Sequence, residues 1–235
     1  MNVGKLRSGC LAALFGVMGL CHSAKAGLIY NTSALGELIG SRSVGTGLTI
    51  GSGNATAASL KWAITSIVGG YHYSYTLDTS SSQHSISHFI LELSGSCVSG
   101  GVLADPNCAH NASAGGATLI PGTFSIGPSN PNMPGTITGL KFDGPTSNAL
   151  PYILSFDSDR APVYGDFYAK TGSPPKSGYS VFNSGQGFES SSMLVADFIA
   201  RPDTTIVTSP EPESLALLAA GMAALGAVYY RRRTG

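Results

Sequence analysis

The sequence predicts an all-β fold, specifically a single β-sandwich or jelly-roll-like domain. Apolar residues recur at every second position in the stretches 71–77 and 89–93, and this period of two places each set on one face of a strand. Clusters of Gly, Pro, Ser and Asn, such as IGPSNPNMPG and KTGSPPKSG, are typical of turns. No long amphipathic helical pattern occurs before Leu215. Short strands separated by turn clusters favour a sandwich or jelly roll.

The first 26 residues are typical of an export signal. Lys5 and Arg7 form a positive start, an apolar stretch of twelve residues follows at 10–21, and Ala24 and Ala26 are the small residues that precede cleavage. We therefore expect export by the Sec machinery and cleavage by signal peptidase before Gly27. The apolar stretch is shorter than the ~20 residues of a membrane-spanning helix.

Lipid attachment at Cys21 is the alternative for this end of the chain. The residue before the modified cysteine of a lipoprotein is usually small, whereas Leu20 is large. We therefore favour a simple cleaved signal peptide.

Strands are predicted along the body of the chain, which we place at residues 27–205. Besides the two alternating stretches, the predicted strands lie at 60–67, 117–126, 136–142, 150–156, 163–169 and 193–199. A short helix is considered at 33–39. No internal repeat is found, so one domain is expected.

The body is mildly acidic. Residues 27–209 carry seven Lys or Arg against eleven Asp or Glu, a net charge of −4, although the whole chain has a net charge of zero. Basic residues concentrate instead at the two ends. A body without a basic patch argues against nucleic acid as a partner.

Two cysteines belong to the exported body. Cys97 and Cys108 enclose a Gly- and Pro-containing stretch, and in an oxidising compartment such a pair is expected to form a disulfide. A cysteine nucleophile or half of a metal site are the alternatives, but neither has a partner motif such as CxxC.

The C-terminal end, residues 206–235, combines a linker, an uncharged stretch and a basic tip. The stretch 215–230 has sixteen residues without a charge, which as a helix would span about 24 Å of a ~30 Å hydrocarbon core. Arg231, Arg232 and Arg233 follow it and would stay on the cytoplasmic side by the positive-inside rule. A buried C-terminal helix is the alternative, but the stretch lacks an amphipathic stripe. We therefore predict a transmembrane helix, with the body of the chain on the exported side of the membrane, opposite the arginines.

The tripeptide Pro210-Glu211-Pro212, followed by the apolar stretch and the arginine cluster, resembles the PEP-CTERM sorting signal of Gram-negative bacteria. The resemblance implies an exosortase-type membrane transpeptidase as partner, with processing near the tripeptide. The two prolines also disfavour helix at this point, so the motif should be extended at the membrane surface. Glu213 departs from the small residue that the family more often has there.

A second, looser resemblance covers residues 154–204. LSFDSDRAPVYGDFYAKTG, FNSGQGF and FIARPDT are similar to a segment that recurs in uncharacterised proteins with this sorting signal. The resemblance brings no known activity with it. It implies that the body is a common module of such exported proteins.

Asp157, Asp159 and Asp166 are the candidate metal ligands, because calcium binds carboxylate oxygens. The twelve-residue calcium-loop pattern with its central Gly and terminal Glu is absent, so an Asp-rich turn between strands is favoured. We predict no metal site and no cofactor, with calcium left as the open alternative.

Histidine and aromatic residues offer two further candidate sites. His84 and His88 have the spacing of a helical zinc site, but they lie in a predicted strand, where four residues extend about 13 Å, so surface or edge histidines are favoured. Trp62 and the tyrosine stripe at 71–75 could stack on sugars, whereas core packing is the usual role of such residues.

No catalytic residue is predicted. The patterns GxSxG, GxxxxGK[ST], HExxH and GxGxxG do not occur in the body. Asp143 and Glu189 could form a glycosidase pair only if the fold brought them together.

Two functions remain after these exclusions. The first is a non-catalytic surface or matrix protein, anchored in the inner membrane during export and finally placed at the cell surface or in the extracellular matrix. The second is an exported carbohydrate-binding or carbohydrate-active protein associated with exopolysaccharide.

Overall fold

The computed structural model of the chain describes residues 35–51, 57–79, 85–93, 95–144, 150–172, 178–187 and 194–206. The predicted signal peptide with its cleavage site and the predicted sorting tail lie outside these ranges. Within these ranges, no helix has the length and apolar character needed to cross a membrane. The predicted span at 215–230 is not among the described residues.

The predicted all-β fold is confirmed. The described residues form fifteen strands and only single turns of 3₁₀ helix. In chain order the strands are β1 (Ile39–Val44), β2 (Gly47–Ile50), β3 (Ser59–Ile67), β4 (Gly70–Asp78), β5 (Ile86–Glu92), β6 (Val98–Ser99), β7 (Val102–Leu103), β8 (His110–Ser113), β9 (Thr118–Phe124), β10 (Ile137–Asp143), β11 (Tyr152–Ser158), β12 (Arg160–Gly165), β13 (Phe167–Thr171), β14 (Ser180–Asn183) and β15 (Ile199–Ile206).

Eleven of these strands form one sheet, in the order β8-β11-β4-β3-β1-β2-β14-β13-β5-β10-β9. Neighbouring strands are antiparallel except β1 and β2, which are parallel. Two small two-stranded sheets, β6-β7 and β12-β15, complete the described fold.

The large sheet curls so that strands remote in its order pack against each other. Tyr75 on β4 lies 6.2 Å from Phe89 on β5, measured between ring centroids, and Phe142 on β10 lies 6.2 Å from Phe156 on β11. These rings are at most 1% exposed. Offset and edge-to-face aromatic pairs of this kind stabilise a core by about 0.5–1.5 kcal/mol beyond their buried area.

The outer faces of the two ends of the sheet differ. We call β8, β11, β4, β3 and β1 the open half, because their outer residues are half-buried or exposed. We call β14, β13, β5 and β10 the covered half, because residues 125–135, named here the covering loop, lie over their outer face. Ile90, Met133, Ile137, Tyr168 and Phe182 form a second apolar cluster there. The Tyr168 hydroxyl donates to the carbonyl of Pro131 in the loop at 2.8 Å.

The pair β12-β15 joins the two halves of the curled sheet. From the open half, the Tyr75 hydroxyl donates to the carbonyl of Ala200 at 2.9 Å. From the covered half, Glu92 binds Arg201 at 3.1 Å between Oε1 and the guanidinium. Since Ile199 and Ala200 are fully buried, β15 is part of the core.

Six of the predicted strands are confirmed and three predicted elements need correction. The stretches 60–67, 71–77, 89–93, 117–126, 136–142 and 150–156 correspond to β3, β4, β5, β9, β10 and β11. The stretch 163–169 is split at Asp166, whose amide donates to the Glu92 side chain at 2.8 Å. The stretch 193–199 is not a strand, because Val195–Asp197 forms a 3₁₀ turn before β15 begins. Of the helix considered at 33–39, the described part is the 3₁₀ turn Leu35–Glu37, and Ile39 already begins β1.

Candidate functional site

The predicted disulfide between Cys97 and Cys108 is present. The two Cα atoms lie 5.8 Å apart, and both residues are fully buried. The bond closes a lobe that contains β6, β7 and the 3₁₀ turn Pro106–Cys108. Asp105 caps this turn by accepting a hydrogen bond from the Asn107 amide at 2.9 Å. The lobe leads directly into β8, which is the edge strand of the open half.

A row of polar side chains crosses the outer face of the open half beside this lobe. The register places Asp157 on β11 opposite His110 on β8 and opposite His72 on β4. The Nδ1 atom of His72 lies 2.6 Å from Oδ1 of Asp157. The side-chain amide of Asn111 donates to the second oxygen, Oδ2, at 2.9 Å.

Asp157 is held as a carboxylate by these contacts. The hydrogen bond from Asn111 is the largest cause that lowers the pKa of Asp157, followed by the hydrogen bond with His72, and the nearby His110 lowers it further. The position of Asn111 depends on a bulge between β8 and β11, where Asn111 has a φ of 52°. Asn tolerates this left-handed conformation better than most residues.

The three predicted calcium candidates have different partners. Whereas Asp157 belongs to the row with His72, Asp159 lies 2.9 Å from the guanidinium of Arg160, and Asp166 accepts a hydrogen bond from Asn183 at 2.7 Å. These three aspartates do not form a group with ligand atoms close enough for one ion within the described ranges.

One group of three possible ligands whose atoms lie this close together occurs among the described residues, and it does not include His72, His110 or Asp157. Potential ligand atoms of Asp105, Cys108 and Asp159 lie within 4.8 Å of one another. The sulfur of Cys108 is bonded to Cys97, however, and Arg160 forms ion pairs with both carboxylates. The sulfur is therefore not a thiolate ligand, and the guanidinium already occupies both carboxylates and offsets part of their charge.

The polar residues of the stretch 154–204 stabilise the fold. Asn183 accepts a hydrogen bond from the Phe167 amide at 2.8 Å and donates to Asp166 at 2.7 Å and to the carbonyl of Asp197 at 3.0 Å. Arg201, from the FIARPDT stretch, is 1% exposed and pairs with Glu92. These contacts link β14 to β13 and to the turn before β15, and they link β15 to β5, so these polar residues have a structural role.

Trp62 and the tyrosine stripe pack in the core, as the sequence favoured. Trp62 is 2% exposed, its indole Nε1 donates to the carbonyl of Glu37 at 2.8 Å, and the guanidinium of Arg42 lies 4.8 Å from the ring centroid. Tyr73 and Tyr75 are also buried. The flat faces of these three rings are therefore not presented to a sugar.

The prediction that His88 is a surface or edge histidine is wrong. It is 2% exposed, because β5 lies between β13 and β10 and the covering loop closes its outer face. The ring stacks on Tyr168 with 5.9 Å between centroids. Burial, the largest cause, lowers the pKa of His88 to about 4, and the charge of Lys141 acts in the same direction. Its proposed zinc partner, His84, lies outside the described residues.

A shallow depression of about 430 Å³ lies on the outer face of β1, β3 and β4. Hydroxyl groups and one amine line it together with small apolar side chains. Its outward-facing lining residues are Ile39, Ser41, Lys61, Ala63, Ser74 and Thr76.

The possible glycosidase pair receives no support from the described residues. Asp143 forms an ion pair with Lys141 at 2.8 Å, and Glu189 lies outside the described ranges.

The sequence did not predict the row formed by His72, His110 and Asn111 with Asp157. Its only local signal was that His72 and Asp157 alternate with buried aromatic residues and therefore face outward.

No family model, curated protein or solved structure matches this chain.

Proposed function

We propose that the chain is an exported, non-catalytic bacterial protein of the cell surface or extracellular matrix. The observation that carries the proposal is the C-terminal sequence, in which Pro210-Glu211-Pro212, an uncharged stretch at 215–230 and three arginines follow one another. An exosortase-type transpeptidase would act near the tripeptide. Before processing, the helix anchors the chain in the inner membrane with its body in the periplasm.

The buried disulfide supports export. Disulfides form and persist in oxidising compartments such as the periplasm and are rare in the cytosol. Closing a loop with a sequence separation of 11 contributes about 3 kcal/mol in the chain-entropy account. The body therefore gains stability where the signal peptide would send it.

The end of the folded part fits the proposed processing site. The last strand, β15, ends at Ile206, and Pro210 follows four positions later in the sequence. Because β15 is packed in the core, a cut near the tripeptide would leave every described strand in the body.

We also interpret the curled sheet as a jelly-roll-like sandwich, since its two halves face each other across one aromatic core.

Replacement of Glu211 tests the sorting role. We expect Glu211→Ala to leave export intact and to accumulate a membrane-bound precursor, because the charge between the prolines is the proposed recognition feature. Immunoblotting of membrane and extracellular fractions measures the precursor. Glu213→Ala is the matched control and should mature normally. Unchanged maturation of the Glu211 variant would contradict the role of the tripeptide.

Mass spectrometry of the mature protein tests both ends of the chain. We expect it to begin at Gly27 and to lack Arg231, Arg232 and Arg233, because signal peptidase and the transpeptidase would have removed the two ends. A mature form that keeps its arginines would mean that the helix is a permanent anchor.

Carbohydrate binding is the second candidate function, and the depression on the open half favours it. Ser41, Ser74 and Thr76 offer hydroxyl groups, and Lys61 offers a positive charge, on an accessible sheet face. Such groups can hydrogen-bond to a polysaccharide even though Trp62 is buried. Affinity for the host's own exopolysaccharide, measured with and without a chelator, tests this candidate. Absence of binding under both conditions would remove it.

A further inference from the structure

Three side chains that can bind metals lie side by side on the open half. His110, Asp157 and His72 occupy consecutive strands, β8, β11 and β4, and the register pairs Asp157 with both histidines. Directly opposed residues of antiparallel strands have Cβ atoms about 4.5–5.5 Å apart. We call these three residues the histidine row. We propose that the histidine row binds one divalent transition-metal ion of the zinc, copper or nickel class.

The carboxylate at the centre of the row is already positioned. Asp157 is 18% exposed, and Asn111 holds its Oδ2 atom at 2.9 Å, so the Oδ1 atom is directed to His72 at 2.6 Å. The His72 side chain is 41% exposed, so an ion can reach this pair from solvent. A metal ion that bridges His72 and Asp157 replaces the proton that they share.

His110 supplies the third ligand from the edge strand. Its Cα is paired with that of Asp157, and its side chain is exposed. The ligand atoms of the three residues do not all lie within 4.8 Å of one another, so binding requires the imidazole of His110 to turn toward Asp157. The preceding segment is held in place, because Cys108 is bonded to Cys97 and Asp105 is paired with Arg160. Bulges often direct side chains toward functional sites, and at this bulge the Asn111 side chain is directed to Asp157.

The donor set selects the class of ion. Two imidazoles and one carboxylate suit zinc, copper and nickel, whereas calcium and magnesium prefer sites made of oxygen atoms. Metal–nitrogen and metal–oxygen bonds are about 2.0–2.2 Å, so the His72–Asp157 contact must open by less than about 1 Å to admit the ion. The site differs from the calcium site considered for Asp157, Asp159 and Asp166, because it uses imidazole ligands from two other strands.

The proposal predicts one bound ion for each chain. Calorimetry with Zn²⁺ on the untagged full-length chain in mild detergent should give a stoichiometry of one. Copper(II) bound to the same protein should show two imidazole nitrogens in its electron paramagnetic resonance spectrum.

Variants identify the ligands. His72→Gln, His110→Gln and Asp157→Asn should each weaken Zn²⁺ binding by about tenfold or more, since each removes one donor. His84→Gln is the matched control for loss of a histidine, and Asp143→Asn is the control for loss of a carboxylate. Both controls should bind like the wild type. Circular dichroism checks that each variant is folded.

The proposal fails if the wild-type chain does not bind Zn²⁺ below millimolar concentrations. It also fails if the double variant His72→Gln/His110→Gln keeps full binding, or if His84→Gln loses binding to the same extent as His72→Gln. Should a row variant not fold, the wild-type copper spectrum decides, and fewer than two imidazole nitrogens overturn the proposal. Each of these outcomes is independent of the sorting role of the C-terminal tail.

Discussion

The open half and the covered half share one aromatic core but differ on their outer faces. Strand β4 of the open half has buried residues only at alternate positions, whereas β5 of the covered half has four consecutive buried residues from His88 to Leu91. The difference arises because the covering loop packs on the covered half and leaves the open half accessible. A strand buried on both faces appears as a continuous apolar run, and a strand buried on one face alternates.

The covered half contributes mainly to the stability of the fold, whereas the open half carries the groups that are accessible for binding. The covered half contains the second apolar cluster and a buried histidine, whose main role is packing. The open half carries the depression and the histidine row, whose groups are accessible to ions or sugars. The same sheet therefore provides one supporting face and one face available for binding.

The largest expected effect comes from breaking the link between β15 and the covered half. Glu92→Gln should destabilise the protein by about 3–5 kcal/mol, because it leaves the charge of the buried Arg201 without its carboxylate partner. Urea denaturation measures the change in the free energy of unfolding. The double variant Glu92→Met/Arg201→Met is the control, and it should be more stable than Glu92→Gln because no unpaired charge remains. Equal stability of Glu92→Gln and wild type would contradict this role for the pair.

A matched pair of isoleucines tests the two outer faces directly. Ile90 is fully buried on the covered half, whereas Ile153 is 57% exposed on the open half. Ile90→Ala should cost about 2–5 kcal/mol because it leaves a cavity under the covering loop. Ile153→Ala should cost about 1 kcal/mol or less, mostly through lower β propensity. Similar losses in the two variants, measured by thermal unfolding, would mean that the outer faces are not differently covered.

The smallest of the three effects depends on pH. His88 has its pKa lowered from 6.5 to about 4, so the unfolded chain binds more protons than the native protein between these values, and stability should fall as the pH drops through this window. The loss should be about 2–3 kcal/mol at pH 4. The cause is mainly burial, since Lys141, Lys170 and Asp143 around the ring have partly cancelling charges.

Denaturation curves at several pH values, for wild type and His88→Gln, measure how much His88 contributes to the pH dependence of the free energy of unfolding. Carboxylates also titrate near pH 4, so only the difference between the two proteins reports on His88. The variant should lose the extra slope between pH 6.5 and 4, whereas Ile153→Ala on the open half should keep it. Parallel curves for wild type and His88→Gln would contradict the burial of a neutral imidazole.

Local patterns could predict the inner face of the sheet and the disulfide. Tyr73, Tyr75 and Leu77 are buried at every second position, as their spacing predicted. The cysteine pair followed from compartment and number alone. Polar strands were harder to predict, because β8, with the sequence HNAS, has no apolar alternation and is recognisable as a strand only from its pairing with β11.

Tertiary contacts explain what the sequence could not show. The burial of His88 depends on a loop some 40 residues further along the chain, which a period of two cannot predict. His72 and Asp157 are 85 residues apart, and a register shift of one residue would turn either side chain to the other face. The bulge at Asn111 depends on a left-handed φ of 52°, which Asn tolerates but which the residue type alone does not predict at this position. The histidine row was therefore visible only in the folded chain.

The position of β15 determines how the body would respond to pulling. Tension applied beyond Ile206 enters the protein along a strand whose partner, β12, is antiparallel and whose hydrogen bonds run across the direction of force. That ladder has a register shift between Arg160 and Pro162, whereas Glu92 and Tyr75 bind β15 from both sides at Arg201 and Ala200. A protein tethered by this terminus would therefore bear load mainly at the start of β15, several residues inside the point where the tether begins.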